Sequence, residues 1–159
     1  MKKSAAIALL LVTAPAHAWE VRTSHICELV HEESSAAVRV TYDPAIPEYA
    51  IEITLPDAWA GSAVFAMRFD GPRPNTISTS RHVISGDRST LSVSDTGFGN
   101  VLNGLEFNRA ATAILGNQSV TVGLDGAAPA VRQFRACTSG LTAWNADRGP
   151  TKPRLILTI

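Results

Sequence analysis

A surplus of charge of one sign is missing from this chain. Fourteen lysine and arginine side chains face fourteen aspartate and glutamate side chains over 159 residues, so the basic footprint of a nucleic-acid binder is not there. Long apolar runs are missing too. The longest, at 5–14, has ten residues, about half of what a helix needs to cross a bilayer, so a membrane-spanning helix is excluded. Cysteine is scarce, at two residues, with no Cys-x-x-Cys to suggest a redox dithiol. There is no Gly-x-Ser-x-Gly elbow and no glycine-rich phosphate loop with its lysine, which removes support for a serine hydrolase of that type and for nucleotide hydrolysis. Internal repeats and low-complexity tracts are also absent. Hydrophobic content of 45% against charged content of 18% excludes a disordered chain.

What is present begins with an export signal. Lys2 and Lys3 precede the apolar run, and Ala16-His17-Ala18 supplies a small-x-small cleavage site. Residues 1–18 therefore read as a signal peptide cleaved after Ala18, with a periplasmic or secreted destination. The residue after the site is Trp19 and not a lipobox cysteine, so a lipid anchor is not indicated. Without Lys2 and Lys3, 12 basic side chains face 14 acidic ones, a net charge of −2. In an oxidising compartment Cys27 and Cys137 are expected to pair. Closing a loop of about 110 residues is worth roughly 4–5 kcal/mol in the chain-entropy model.

Alternating or β-branched patterns predict strands at 26–31, 37–42, 49–55, 64–69, 76–84 and 90–94. Turn formers separate them, among them Asp43-Pro44, Pro56-Asp57 and Asp70-Gly71-Pro72. Val101, Leu102 and Leu105 predict a short helix near residue 102, weakened by Gly104 inside it. Segments 111–115 and 119–124 flank Gly116-Asn117 as a tight hairpin. Asp125 is placed to cap a helix over 126–136, whose apolar stripe is Ala127, Ala130, Val131 and Phe134. Cys137 continues that stripe toward Cys27. The expected fold is mainly β: an antiparallel β-sandwich or barrel with these two helices. Residues 19–137 form the single domain, and 138–159 an extension in which 155–159 could be an edge strand.

Several groups of residues are candidates for chemistry. Asp95-Thr96-Gly97 follows a strand, as the catalytic aspartate does in aspartic proteases, where a homodimer supplies a second carboxylate. Phe98 and the short distance to Ile114-Leu115-Gly116 depart from that pattern, and an Asp/Gly turn explains the same residues. His25, Cys27 and His31 have odd spacing on a predicted strand, with Glu33 nearby, a donor set suited to zinc or copper; a Cys27 disulfide would remove the thiolate. His82 has no assignable partner. Arg68, Arg73, Arg81 and Arg88 lie within two neighbouring strands and their turns, where a cluster would hold carboxylates or phosphates. Trp59 sits in a loop, where an aromatic can anchor a partner. No catalytic constellation assembles, so the chain reads as a binding or envelope-associated module without a cofactor. Its partner would be a protein, an envelope component or a small ligand.

The segment Val64-Phe65-Ala66-Met67-Arg68-Phe69-Asp70-Gly71, with Gly97-Phe98-Gly99-Asn100-Val101-Leu102-Asn103-Gly104-Leu105, resembles small exported proteins of alphaproteobacteria. Some of those are labelled as a component of the ABC excinuclease. That label implies an ATP-dependent role in DNA repair, which conflicts with an exported chain lacking a Walker motif, so it does not transfer. Val120 to Ala127, leading through Ala130 and Phe134 to Cys137, is similar to the closing element of invasion-associated locus B type proteins, whose further cysteines are missing here. Neither resemblance brings catalytic residues.

Overall fold

A computed structural model describes residues 19–147. The leader expected at 1–18 and the edge strand considered at 155–159 lie outside the described residues. The order is β1 (Glu20–Thr23), β2 (Cys27–Glu32), β3 (Ala37–Asp43), β4 (Glu48–Thr54), β5 (Phe65–Asp70), β6 (Asn75–Thr79), β7 (Val83–Ile84), β8 (Thr90–Asp95), α1 (Gly99–Phe107), β9 (Ala110–Leu115), β10 (Gln118–Gly123) and α2 (Ala127–Asp147). All strand pairs are antiparallel. They form a six-stranded sheet, β1-β2-β3-β4-β8-β7, and a four-stranded sheet, β10-β9-β5-β6. The sheets do not close into a barrel; they face each other as a sandwich.

Period-two alternation builds both inner faces. Cys27, Leu29 and His31 of β2, Val38, Val40 and Tyr42 of β3, and Ile51 and Ile53 of β4 point inward. Phe65, Met67 and Phe69 of β5 oppose them, beside Ala111, Ala113 and Leu115 of β9. On the outer face Arg39 bridges Glu28 of β2 and Glu52 of β4, joining three strands across cross-strand neighbours.

The segment 76–84, predicted as one strand, is two strands in different sheets. β5 begins at Phe65, opposite Thr79, so β6 has no partner beyond that residue. The chain crosses over three residues, Ser80 to His82, and Val83 and Ile84 then pair with Ser92 and Leu91 of β8. β1 has no signal in the sequence, since Val21 is its one apolar residue; it is a short, charged edge strand on β2. The β9–β10 hairpin forms as expected, with Gly116 at φ +63° in the first central position of a two-residue turn.

Both helices differ from expectation in an informative way. Gly104 does not weaken α1 idly: a Cβ there would lie 2.4 Å from the Phe69 ring, so the glycine is what lets the helix lie on β5. The Asn108 side chain closes α1, its amide donating to the Gly104 carbonyl and to the Arg73 carbonyl. α2 starts at Ala127 rather than on an Asp125 cap. Its entry is a backbone turn, with Gly126 at φ +76° and the Ala127 amide donating to the Leu124 carbonyl. Pro129 falls in the first turn, where its missing N–H costs nothing. The helix also runs ten residues past Cys137, because Thr138 is buried, Leu141 packs on the core and Tyr42 and Thr142 share a hydrogen bond of 2.9 Å. Cys137 therefore sits in mid-helix, bonded to Cys27 with Cα atoms 6.0 Å apart, and the bond staples α2 to β2.

Candidate functional site

The short crossover from β6 to β7 brings the edges of the two sheets side by side, and a cavity of about 250 Å³ lies between the sheets there. Ile51 and Val93 line it from the six-stranded sheet, and Phe65, Met67 and Ile77 from the four-stranded one. Phe98 and Val101, at the start of α1, line it as well, with Phe98 stacked on Tyr49 at 5.6 Å. The polar residues of the lining are Ser78, Thr79, Arg81, Asp95 and Asn100. The result is an apolar slot with a charged mouth, the general form of a small-ligand site.

Two sequence candidates meet at that mouth. Arg81, on the crossover, donates through Nη2 to Oδ2 of Asp95, at the end of β8. The Arg81 side chain is 67% exposed and Asp95 36%. The Arg81 hydrogen bond, reinforced by the Gly97 amide, holds the Asp95 carboxyl below its usual range. Its partners stabilise the charged form. An aspartic dyad works through a proton shared between two carboxylates, whereas Oδ2 of Asp95 is occupied by a guanidinium. His82 follows Arg81, its ring tilted against Phe65 at 6.3 Å and its Nδ1 buried without a hydrogen bond among the described residues.

The other arginines do not join the cluster. Arg68 pairs with Asp70 at 2.9 Å. Arg73 lies over the Phe107 ring, 4.2 Å from its centroid. Arg88, at φ +62°, donates to the Trp59 carbonyl at 2.6 Å. Trp59 is corrected from a loop anchor to a core residue. It is 1% exposed, and its indole N–H donates to the Ile53 carbonyl at 2.9 Å, so the ring faces the interior and no partner. Gln118 holds the same loop from β10, accepting from the Ala60 amide and donating to the Ala58 carbonyl.

The metal-donor set is dispersed. Cys27 is in the disulfide and His25 is exposed in the β1–β2 turn. His31 is 6% exposed, stacked on Trp19 at 4.5 Å, with Nε2 on Oε1 of Glu33 at 2.9 Å. Glu33 also accepts from the Gly123 amide at 2.9 Å, and Trp19 donates to the Gly123 carbonyl, so the cluster ties the start of the described chain to the end of β10. Among the described residues no group of three or more His, Cys, Asp or Glu is placed to hold a metal ion. Among them, too, no helix is long and apolar enough to cross a membrane.

Sequence reasoning reaches Arg81 and Asp95 separately and misses the slot between them. Its walls are ordinary inward-facing strand residues, and nothing in a strand's alternation tells how far apart two sheets stand. No family model, no curated protein and no solved structure matches the chain.

Proposed function

We propose that this chain is an exported, periplasmic binding module that takes a small, partly apolar ligand into the slot between its sheets and performs no chemistry on it. The observation that carries the reading is the slot itself, apolar along its walls and charged only at Arg81 and Asp95. The leader-like residues 1–18 and the Cys27–Cys137 bond support export, since such bonds persist in oxidising compartments. The sequence's resemblance to small exported alphaproteobacterial proteins, carried through residues 64–71 and 97–105, agrees with this reading.

The test uses the full chain expressed with its own leader and recovered from the periplasm. Intact mass is expected to start at Trp19 and to be two hydrogens lighter than the dithiol. The same protein, isotopically labelled, is then titrated with 1-anilinonaphthalene-8-sulfonate as an apolar probe. Amide shifts are expected at β6, at β8 and at the start of α1, and are expected to vanish in Ile77→Trp, which fills the slot. Shifts confined to other surfaces, or free thiols on a chain that keeps its leader, overturn the reading.

A further inference from the structure

A ligand entering the slot has to pass an ion pair, and the pair constrains what that ligand carries. Asp95 has partners besides Arg81: its Oδ1 accepts from the Gly97 amide at 3.4 Å and from the Thr96 hydroxyl at 3.5 Å. Among the described residues Arg81 has no second ionic partner, and its guanidinium uses one donor on Asp95 and keeps the others able to turn outward. A ligand bearing only a carboxylate would draw Arg81 away and leave its own charge beside that of Asp95. A ligand bearing only an ammonium would meet Arg81 in the same way. Either would lose by like-charge repulsion much of what it gained. A ligand with both charged groups attached to one carbon exchanges one ion pair for two.

The slot behind the pair sets the rest. An apolar cavity of about 150 Å³ is enough to hold a benzene ring. The volume here is about 250 Å³, walled by Ile51, Phe65, Met67, Ile77 and Val93. That suits a single branched aliphatic or aromatic side chain and not a long acyl chain. We infer that the slot binds a free apolar α-amino acid, its carboxylate on Arg81, its ammonium on Asp95 and its side chain between the sheets. The inference rests on the proposed binding role of this slot and narrows its ligand class.

Isothermal titration of the oxidised protein at pH 7 with four probes tests it: L-phenylalanine, phenethylamine without the carboxylate, 3-phenylpropanoate without the ammonium, and uncharged 3-phenyl-1-propanol. L-Phenylalanine is expected to bind at least about tenfold more tightly than each of the others, since both charges are recognised. Arg81→Met and Asp95→Asn are each expected to remove that advantage, with circular dichroism confirming that both variants fold. The four ligands on the unmodified protein decide the question even if a variant does not fold. Equal binding of the uncharged alcohol, or tightest binding of 3-phenylpropanoate, overturns the zwitterion while leaving a ligand slot. Binding of none of the four overturns the slot as well.

Discussion

Gly104 of α1 lies directly on the ring of Phe69 in β5: a methyl group at Gly104 would come within 2.4 Å of ring carbons Cδ2 and Cε2. Both residues are buried, and Phe69 is wholly enclosed. Gly104→Ala sets a gain in helix propensity of about 1 kcal/mol against overpacking of about 1–3 kcal/mol. The ring cannot retreat into a filled core, so a net loss of about 1 kcal/mol or more is expected in urea unfolding. Adding Phe69→Leu should narrow the difference that Gly104→Ala makes. A stabilised Gly104→Ala protein would show that helix and sheet are not in this contact.

The disulfide closes a loop with a sequence separation of 110 residues and fixes α2 on β2. Cys27→Ala combined with Cys137→Ala is expected to lower unfolding free energy by about 2–5 kcal/mol. Reduction of the unmodified protein should have a similar effect. An unchanged denaturation midpoint in both would mean that packing of Phe134, Val131 and Leu141 already holds the helix.

Acid should loosen the contact between β2 and the end of β10. Burial alone would raise the Glu33 carboxyl, but hydrogen bonds from His31 and the Gly123 amide outweigh it and hold it below its ordinary 4.5. The group binds protons less readily folded than unfolded. Its stabilisation is therefore present above pH 4.5 and is lost as pH falls through the lower folded value. Glu33→Gln is expected to cost about 1 kcal/mol at pH 7, discounted because a third of the side chain meets solvent. The gap in melting temperature between the two proteins should shrink toward pH 3. A gap that stays constant with pH would remove the carboxylate from the account.

Asp95 offers a direct check on the mouth of the slot. In Arg81→Met its carboxyl loses the hydrogen bond that chiefly lowers it, while the Gly97 amide remains. The carbon-detected carboxyl titration of Asp95 is expected to move upward toward 3.8 without reaching it. An unmoved midpoint would mean that the guanidinium does not rest on Asp95 in solution.

Much of the fold is legible because inward-facing residues alternate along β2, β3 and β5 and from Ile51 onward in β4, and because Gly116-Asn117 marks its hairpin. The elements that differ from the sequence pattern depend on partners remote in the chain. The end of β6 is set by where β5 begins, and β1 exists because β2 offers an open edge. α2 continues past Cys137 because Tyr42 and Pro44 meet Thr142 and Asn145. Trp59 looks like a loop residue until Arg88 and Gln118 fold its loop inward. Of the candidate site, the two charged residues are visible singly, 14 positions apart. Their meeting requires two sheets, and the volume behind them depends on the gap between those sheets.

The meander of β1 to β4 has a bearing on how the molecule comes into being. Each of these strands pairs with its immediate neighbour, so the meander can form as soon as residue 54 is available. Of the surfaces that shield it only β5 follows soon: β9, which pairs with β5 as Leu115 against Phe65, comes much later, and the helix that bonds to Cys27 begins only at Ala127. A chain emerging end-first thus spends an interval with Leu29, Val40, Ile51 and Ile53 bare and a lone thiol beside them. During that interval wrong contacts, including a bridge to another chain's cysteine, compete with the native one. The vulnerability of this protein is one of timing, and what shortens it is the speed with which the last third of the chain follows the first.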